Sequence, residues 1–177
     1  MTNVACYVSL SCRNGSQLND GTLLIDALKV FHDVPTIQAI GLNCCSIRYI
    51  PDLLKILLTD IVHSTPHRGI VVFPNSGELW NGVTKQWYPD PELVVSHSAT
   101  TTTTTSTTTT DAVTLMKHVI HHIDTIWEEL CRGTDVPFRS RRKPSIVIGG
   151  CCRMTVETIA ELRRFVNEYL RNEPNSE

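Results

Sequence analysis

Apolar positions along the chain fall into a pattern that repeats four times: a short continuous apolar run, then a stretch with apolar residues three and four apart. The first run is Ala5-Cys6-Tyr7-Val8-Ser9-Leu10, followed by Thr22 to Phe31 with Leu24, Ala27, Leu28 and Phe31 on one helical face. The second is Thr36-Ile37-Gln38-Ala39-Ile40-Gly41-Leu42; its helix opens at Pro51, a residue suited to a first turn, and runs through Leu53, Leu54, Ile56, Leu57 and Leu58. The third, Gly69-Ile70-Val71-Val72-Phe73, stops at Pro74, and its helix comes late, from about Ala112 to Leu130, with Val113, Met116, Val119, Ile120, Ile123, Trp127 and Leu130 in register. The fourth is Ser145-Ile146-Val147-Ile148, closed by Gly149-Gly150, with a helix from about Thr155 to Leu170 that carries Val156, Ile159, Leu162, Phe165, Val166 and Leu170. Continuous apolar strands alternating with helices predict parallel β/α units, an α/β fold. Four units fit a small open sheet or an arc of a barrel, and the local pattern leaves both open.

Two stretches fall outside this scheme. Residues 99–110 are an alanine followed by a run of threonines broken by one serine, with no large apolar side chain to bury, and read as a disordered loop. Arg132 to Pro144 is a polar excursion carrying Arg139, Arg141, Arg142 and Lys143; the cluster can touch phosphate, but a solvated loop is the better reading of it.

Composition narrows the class. A chain of 177 residues, 41% of them hydrophobic, is long enough to bury a core as one domain without a staple. Sixteen basic residues against 18 acidic argue against a polycationic nucleic-acid binder and against an acidic tail. No run approaches the roughly 18 apolar residues of a membrane span. The segment Met1-Thr2-Asn3-Val4-Ala5-Cys6 lacks the layout of a secretory signal, so a cytoplasmic location is expected. Asn14-Gly15-Ser16 matches a glycosylation acceptor, which would stand idle there. The seven cysteines are odd in number and include two adjacent pairs, a usage that fits reduced thiols better than a disulfide framework.

In parallel β/α folds ligands gather at the carboxyl ends of strands. Asn43-Cys44-Cys45 follows the second strand and Gly149-Gly150-Cys151-Cys152-Arg153 the fourth, which brings three or four thiols to one rim. Thiolates suit zinc, and three protein ligands with one open position is a catalytic pattern. The paired glycines allow the close backbone approach that two adjacent ligands require. Against this, free cysteines at strand ends are often small apolar filler. The third strand ends in Pro74-Asn75-Ser76-Gly77-Glu78, where Asn75, Ser76 and Glu78 can hold an amino-acid ligand or simply form a turn. The histidines do not follow strands, and His118, His121 and His122 share one helix as surface or boundary residues.

These residues match a family. Gly41-Leu42-Asn43-Cys44 with Gly149-Gly150-Cys151-Cys152-Arg153 resembles the zinc signature of homocysteine S-methyltransferases. Phe73-Pro74-Asn75-Ser76-Gly77-Glu78-Leu79-Trp80 is similar to the Tyr-Pro-Asn-Ser-Gly-Glu-x-Trp motif of the branch that takes its methyl group from S-methylmethionine or S-adenosylmethionine. Ser9-Leu10-Ser11-Cys12-Arg13 with Leu18-Asn19-Asp20-Gly21-Thr22 is similar to the segment opening the fifth unit of the family's barrel. The motifs stand in family order over nearly the whole chain.

The resemblance implies a (β/α)8 TIM-barrel fold, of which residues 1–170 are about the last four units, with the N-terminal half-barrel as a missing partner. It implies Zn2+ on Cys44, Cys151 and Cys152, with Cys45 left out. Asn43, Asn75, Ser76 and Glu78 are then the expected contacts for homocysteine and the sulfonium donor. Methyl transfer would give methionine, with no nucleic acid and no membrane involved. The alternative is a truncated, catalytically inactive half-barrel that binds zinc. The sequence departs from the family in its Thr-rich run, in its Arg139–Pro144 stretch, and after Arg153, where Met154-Thr155-Val156 stand in place of a threonine and a proline that opens the last helix.

Overall fold

The structure, a computed structural model, describes residues 4–64, 68–91, 93, 107–132 and 143–172. Four strands form one parallel sheet in chain order: β1 (Cys6–Leu10), β2 (Ile37–Asn43), β3 (Gly69–Phe73) and β6 (Ile146–Ile148). Between and after them run α1 (Leu24–Lys29), α2 (Ile50–Ser64), α3 (Thr107–Arg132) and α4 (Val156–Asn172), with a 3-10 turn at Ile47–Tyr49 leading into α2. Each of the four expected strands and helices is present. Sequential strand order with each helix packed on the next means that the units wind in one direction.

One face of the sheet carries the core. Ile40 and Leu42 of β2, with Ile70 and Val72 of β3, pack on Leu24 and Leu28 of α1, Leu53, Leu54, Leu57, Leu58 and Ile61 of α2, Met116 and Ile123 of α3, and Leu162 of α4. The alternation of strand side chains sends the other set to the opposite face. There Tyr7 and Val147 are 59% and 54% exposed, and the Tyr7 ring meets Phe73 edge-on at 6.5 Å. Strands β1 and β6 are the open edges of this sheet among the described residues.

α3 corrects one expectation. It begins at Thr107, so residues 107–110 of the threonine run are helical rather than loop. Threonine costs only up to about 0.7 kcal/mol per helical position, a small charge against propagation from the amphipathic segment beyond Ala112. The rest of that run, 99–106, lies outside the described residues, as do 133–142 with Arg139, Arg141 and Arg142, and His67 and His97. Lys143 is ion-paired with Asp124.

An antiparallel hairpin stands between β3 and α3 and has no counterpart in the sequence reading: β4 (Glu78–Asn81) and β5 (Gln86–Pro89). The Asn81 side-chain oxygen accepts from the Val83 and Thr84 amides and so folds the turn. Four-residue strands this polar give no periodic signal. The missing proline before α4 is made good by Thr155, whose hydroxyl oxygen accepts from the Thr158 amide as a cap. Among the described residues no helix is long and apolar enough to cross a membrane.

The buried Arg68 ties β3 to the connection before β2. Its guanidinium donates to the carbonyls of Ile37 at 3.1 Å and Val34 at 3.1 Å, and also to Phe31 and His32. His32 in turn meets the buried Asp60 of α2 at 2.8 Å. Replacing Arg68 with Met would keep the packing and leave those acceptors without their donor. We expect a loss of about 2–4 kcal/mol, read from the urea midpoint of the variant against wild type. An unchanged midpoint would refute this role for Arg68.

Candidate metal centre and substrate cleft

Three loops meet at the carboxyl end of the sheet because the parallel ladder continues past the strands. The Cys44 amide donates to the Phe73 carbonyl at 3.0 Å, Asn75 to Cys45 at 3.0 Å, Cys151 to Pro74 at 2.7 Å and Ser76 to Cys152 at 3.1 Å. Adjacent residues at a strand end point to opposite sides, and Cys44 and Cys45 do so. Cys45 is fully buried, its sulfur accepting from the Cys12 amide at 3.1 Å, while Cys44 faces the rim with φ +51°. The Cys12 thiol is pushed up, first by its hydrogen bond to Cys45 and then by burial.

The sulfurs of Cys44, Cys151 and Cys152 all lie within 4.8 Å of one another. Cys44 and Cys152 are 3.6 Å apart, Cys151 and Cys152 3.9 Å, and Cys44 is joined to Cys151 as a disulfide across 107 residues. The expectation of reduced thiols is therefore not met at this pair. Thiolates around one zinc at about 2.3 Å stand about 3.8 Å apart in a tetrahedron, close to the two open separations here. Once reduced, the donor set fits one soft metal ion beside the cleft that Cys44 and Cys152 line. The preceding glycines permit it: a Cβ on Gly149 would stand 2.9 Å from the Phe73 ring, and one on Gly150 2.6 Å from the Met154 Cβ.

A cleft of about 680 Å³ opens beside the sulfurs. Cys44, Cys152, Asn75 and Glu78 line it, so two of the four expected substrate contacts reach its wall. Ser76 lines a neighbouring cavity of about 340 Å³ with Arg153, and its hydroxyl donates to Glu78 Oε2 at 2.9 Å. Asn43 is not among the lining residues of either; its carbonyl accepts from the Ser11 hydroxyl at 2.7 Å. The sequence reading of site residues left out Ser11, Arg13 and Asn19 from the connection after β1, and Tyr49, Trp80 and Trp87. The strand-end rule applied to β1 would have found the first group. Trp87 could not have been found that way, since it belongs to the hairpin.

Glu78 is 8% exposed and held by Arg153 in a two-pronged pair, Nε to Oε2 at 2.7 Å and Nη2 to Oε1 at 3.0 Å. The guanidinium, with help from the Ser76 hydroxyl and against burial, holds the Glu78 carboxyl below the usual carboxylate range. Arg153 follows Cys152 directly and adopts φ +65°, so the pair pins the cysteine loop to the hairpin. A carboxyl whose folded pKa is lowered contributes stability above its unfolded value, near pH 4, and loses it as the pH falls through the folded value. Glu78→Gln should lower stability by about 1–2 kcal/mol at pH 7 and show a shallower loss below pH 4 than wild type in thermal melts. Parallel pH profiles would refute the pairing.

A family profile described as "Homocysteine S-methyltransferase" matches residues 1–166. The chain is 24% identical over 168 residues to Homocysteine S-methyltransferase 2 of Saccharomyces cerevisiae, covering 92% of this chain and 39% of that protein. It is 35% identical over 81 residues to Homocysteine S-methyltransferase YbgG of Bacillus subtilis, covering 46% of this chain and 24% of that protein. Against the crystal structure of the homocysteine methyltransferase MmuM from Escherichia coli in its oxidized form, the TM-score is 0.48 at 21% identity, covering 90% of this chain and 36% of that one. The chain thus spans 39% or less of the length of these relatives. Since the profile runs through both cysteine segments and the hairpin between them, this chain belongs to the homocysteine S-methyltransferase family.

Proposed function

We propose that the chain carries the zinc site of a methyltransferase that moves a methyl group from S-methylmethionine or S-adenosylmethionine to homocysteine. The observation that carries this reading is the convergence of the Cys44, Cys151 and Cys152 sulfurs beside a cleft that Cys44 and Cys152 line. The four β/α units are read as an arc of a (β/α)8 barrel, its last four. The open edges of β1 and β6 would pair with further units, the N-terminal half of such a barrel. A reducing cytoplasm suits a site whose ligands must be free of the Cys44–Cys151 bond.

In the reaction the homocysteine sulfur attacks the sulfonium methyl carbon in line. The carbon–sulfur bond to the donor breaks, and its electron pair stays on a neutral thioether. With S-methylmethionine, one homocysteine and one donor give two methionines and a proton. Zinc, when bound, supplies Lewis acidity that keeps a thiol substrate deprotonated near neutral pH. The protein's own part is placement. Cys44, Cys151 and Cys152 would hold the ion beside the cleft. Asn75 and Glu78 meet the amino-acid portion of a substrate from the wall, Ser76 acts through its hydrogen bond to Glu78, and Asn43 acts through Ser11. A neutral thioether leaves without an acid, so the transfer asks no proton donor of the cleft.

The test uses reduced protein loaded with zinc and freed of excess metal. Wild type should retain about one zinc per chain and form methionine from homocysteine and S-methylmethionine, and Cys151→Ala should lose both. Retained zinc and rate in the variant would overturn the ligand assignment. Zinc retained by wild type without methyl transfer would overturn the catalytic reading in favour of a zinc-binding domain.

A further inference from the structure

The hairpin places an aromatic surface on the cleft that the thiols of Cys44 and Cys152 line. Trp80 and Trp87 are direct cross-strand partners, so both side chains leave the same face of the β4–β5 ribbon. Glu78, two residues before Trp80, shares that face by strand alternation. All three line the 680 Å³ cleft together with Cys44 and Cys152. The indole rings lie 5.3 Å apart, tilted by 50°. Trp80 remains 50% exposed, an unusual state for so large an apolar side chain with a partner ring beside it. Glu78 cannot supply a free charge to the cleft, because Arg153 already engages both its oxygens.

The opposite requirements meet elsewhere in the same cleft. Arg13, whose guanidinium donates to Gln17, brings a positive charge from the connection after β1. The Ser46 side chain also lines the cleft; it is 6% exposed, and among the described residues its buried hydroxyl has no hydrogen-bond partner. A buried hydroxyl left without a partner is costly unless a ligand satisfies it. The cleft therefore offers a cation-binding aromatic face, a guanidinium for a carboxylate and an open hydroxyl.

We propose that Trp80 and Trp87 form the recognition surface for the positive sulfonium of the methyl donor. The donor bound is an amino-acid sulfonium whose carboxylate is met by Arg13 and Ser46. This rests on the methyl-transfer reading above and adds to it which residues select a cationic donor over its neutral product. Indole faces attract a desolvated onium ion through the ring quadrupole, whereas a thioether of nearly the same shape gains only packing. The same surface then favours release of methionine after transfer.

The experiment compares binding of S-methylmethionine and methionine, which differ by one methyl group and one positive charge, to the full chain by calorimetry without turnover. Wild type should prefer the sulfonium by about 3- to 30-fold. Trp80→Leu and Trp87→Leu should each bring that ratio toward one with methionine affinity unchanged, and Trp80→Phe should keep most of it. Arg13→Gln should weaken both ligands alike and leave the ratio. Equal affinities in wild type, no binding of either ligand, or parallel loss of both in the leucine variants would overturn the proposal. Because binding is read without turnover, failure of methyl transfer or of zinc retention leaves this comparison intact and is told apart from it.

Discussion

Amide-to-carbonyl bonds running past the ends of β2, β3 and β6 hold the three loops of the site in fixed register. Cys44 on Phe73, Asn75 on Cys45, Cys151 on Pro74 and Ser76 on Cys152 form one continuous lacing. Without it the thiols from residues 44 and 151 would belong to two independent loops, and their meeting would have to be made by the ligand at an ordering cost for each loop. With it the backbone of each loop is used up by its neighbour, and the side chains are free to face the cleft. The parallel sheet supplies this directly, because its strands end on the same side and its hydrogen bonds are evenly spaced.

On that lacing the site stores local conformations that the loops would not adopt alone. Cys44 and Arg153, which flank the sulfur cluster, both have positive φ at non-glycine residues. Such positions persist where the surroundings over-determine them. For Arg153 the surroundings are the two hydrogen bonds to Glu78, the buried first residue of β4. The hairpin is thus joined to the cysteine loop by charge and to the third strand by covalent sequence. That double attachment puts Trp80 and Trp87 on the cleft that Cys44 and Cys152 also line.

The periodic elements were readable from the chain because each strand is mostly apolar and each helix has one apolar face. Ile40, Leu42, Ile70 and Val72 alternate into the core, and Leu53, Leu54, Leu57, Leu58 and Ile61 recur at helical spacing. The two cysteine segments were readable for a different reason: the residues after a strand in a β/α unit sit at one rim whatever the rest of the fold does. The N-terminal start of α3 at Thr107 was missed because threonine signals loop as strongly as helix. The β4–β5 hairpin was missed because Glu78, Leu79, Trp80 and Asn81 show neither an apolar run nor a clean alternation.

What the sequence by itself determined is therefore the set of β/α units, the rim on which thiols collect and the family to which the motifs are similar. Local pattern and residue chemistry are enough for these, since they act within a few residues of chain. The family resemblance already implied Cys44, Cys151 and Cys152 without Cys45; what only the tertiary structure shows is that Cys45 turns into the core. The same is true of the pairing of Glu78 with Arg153, and of the place of Trp87, Tyr49, Arg13 and Ser46 on one cleft. These depend on which way a side chain leaves a strand end and on what lies across a gap of tens of residues. The interactions that settle both, backbone lacing and burial, exist only once the sheet has formed.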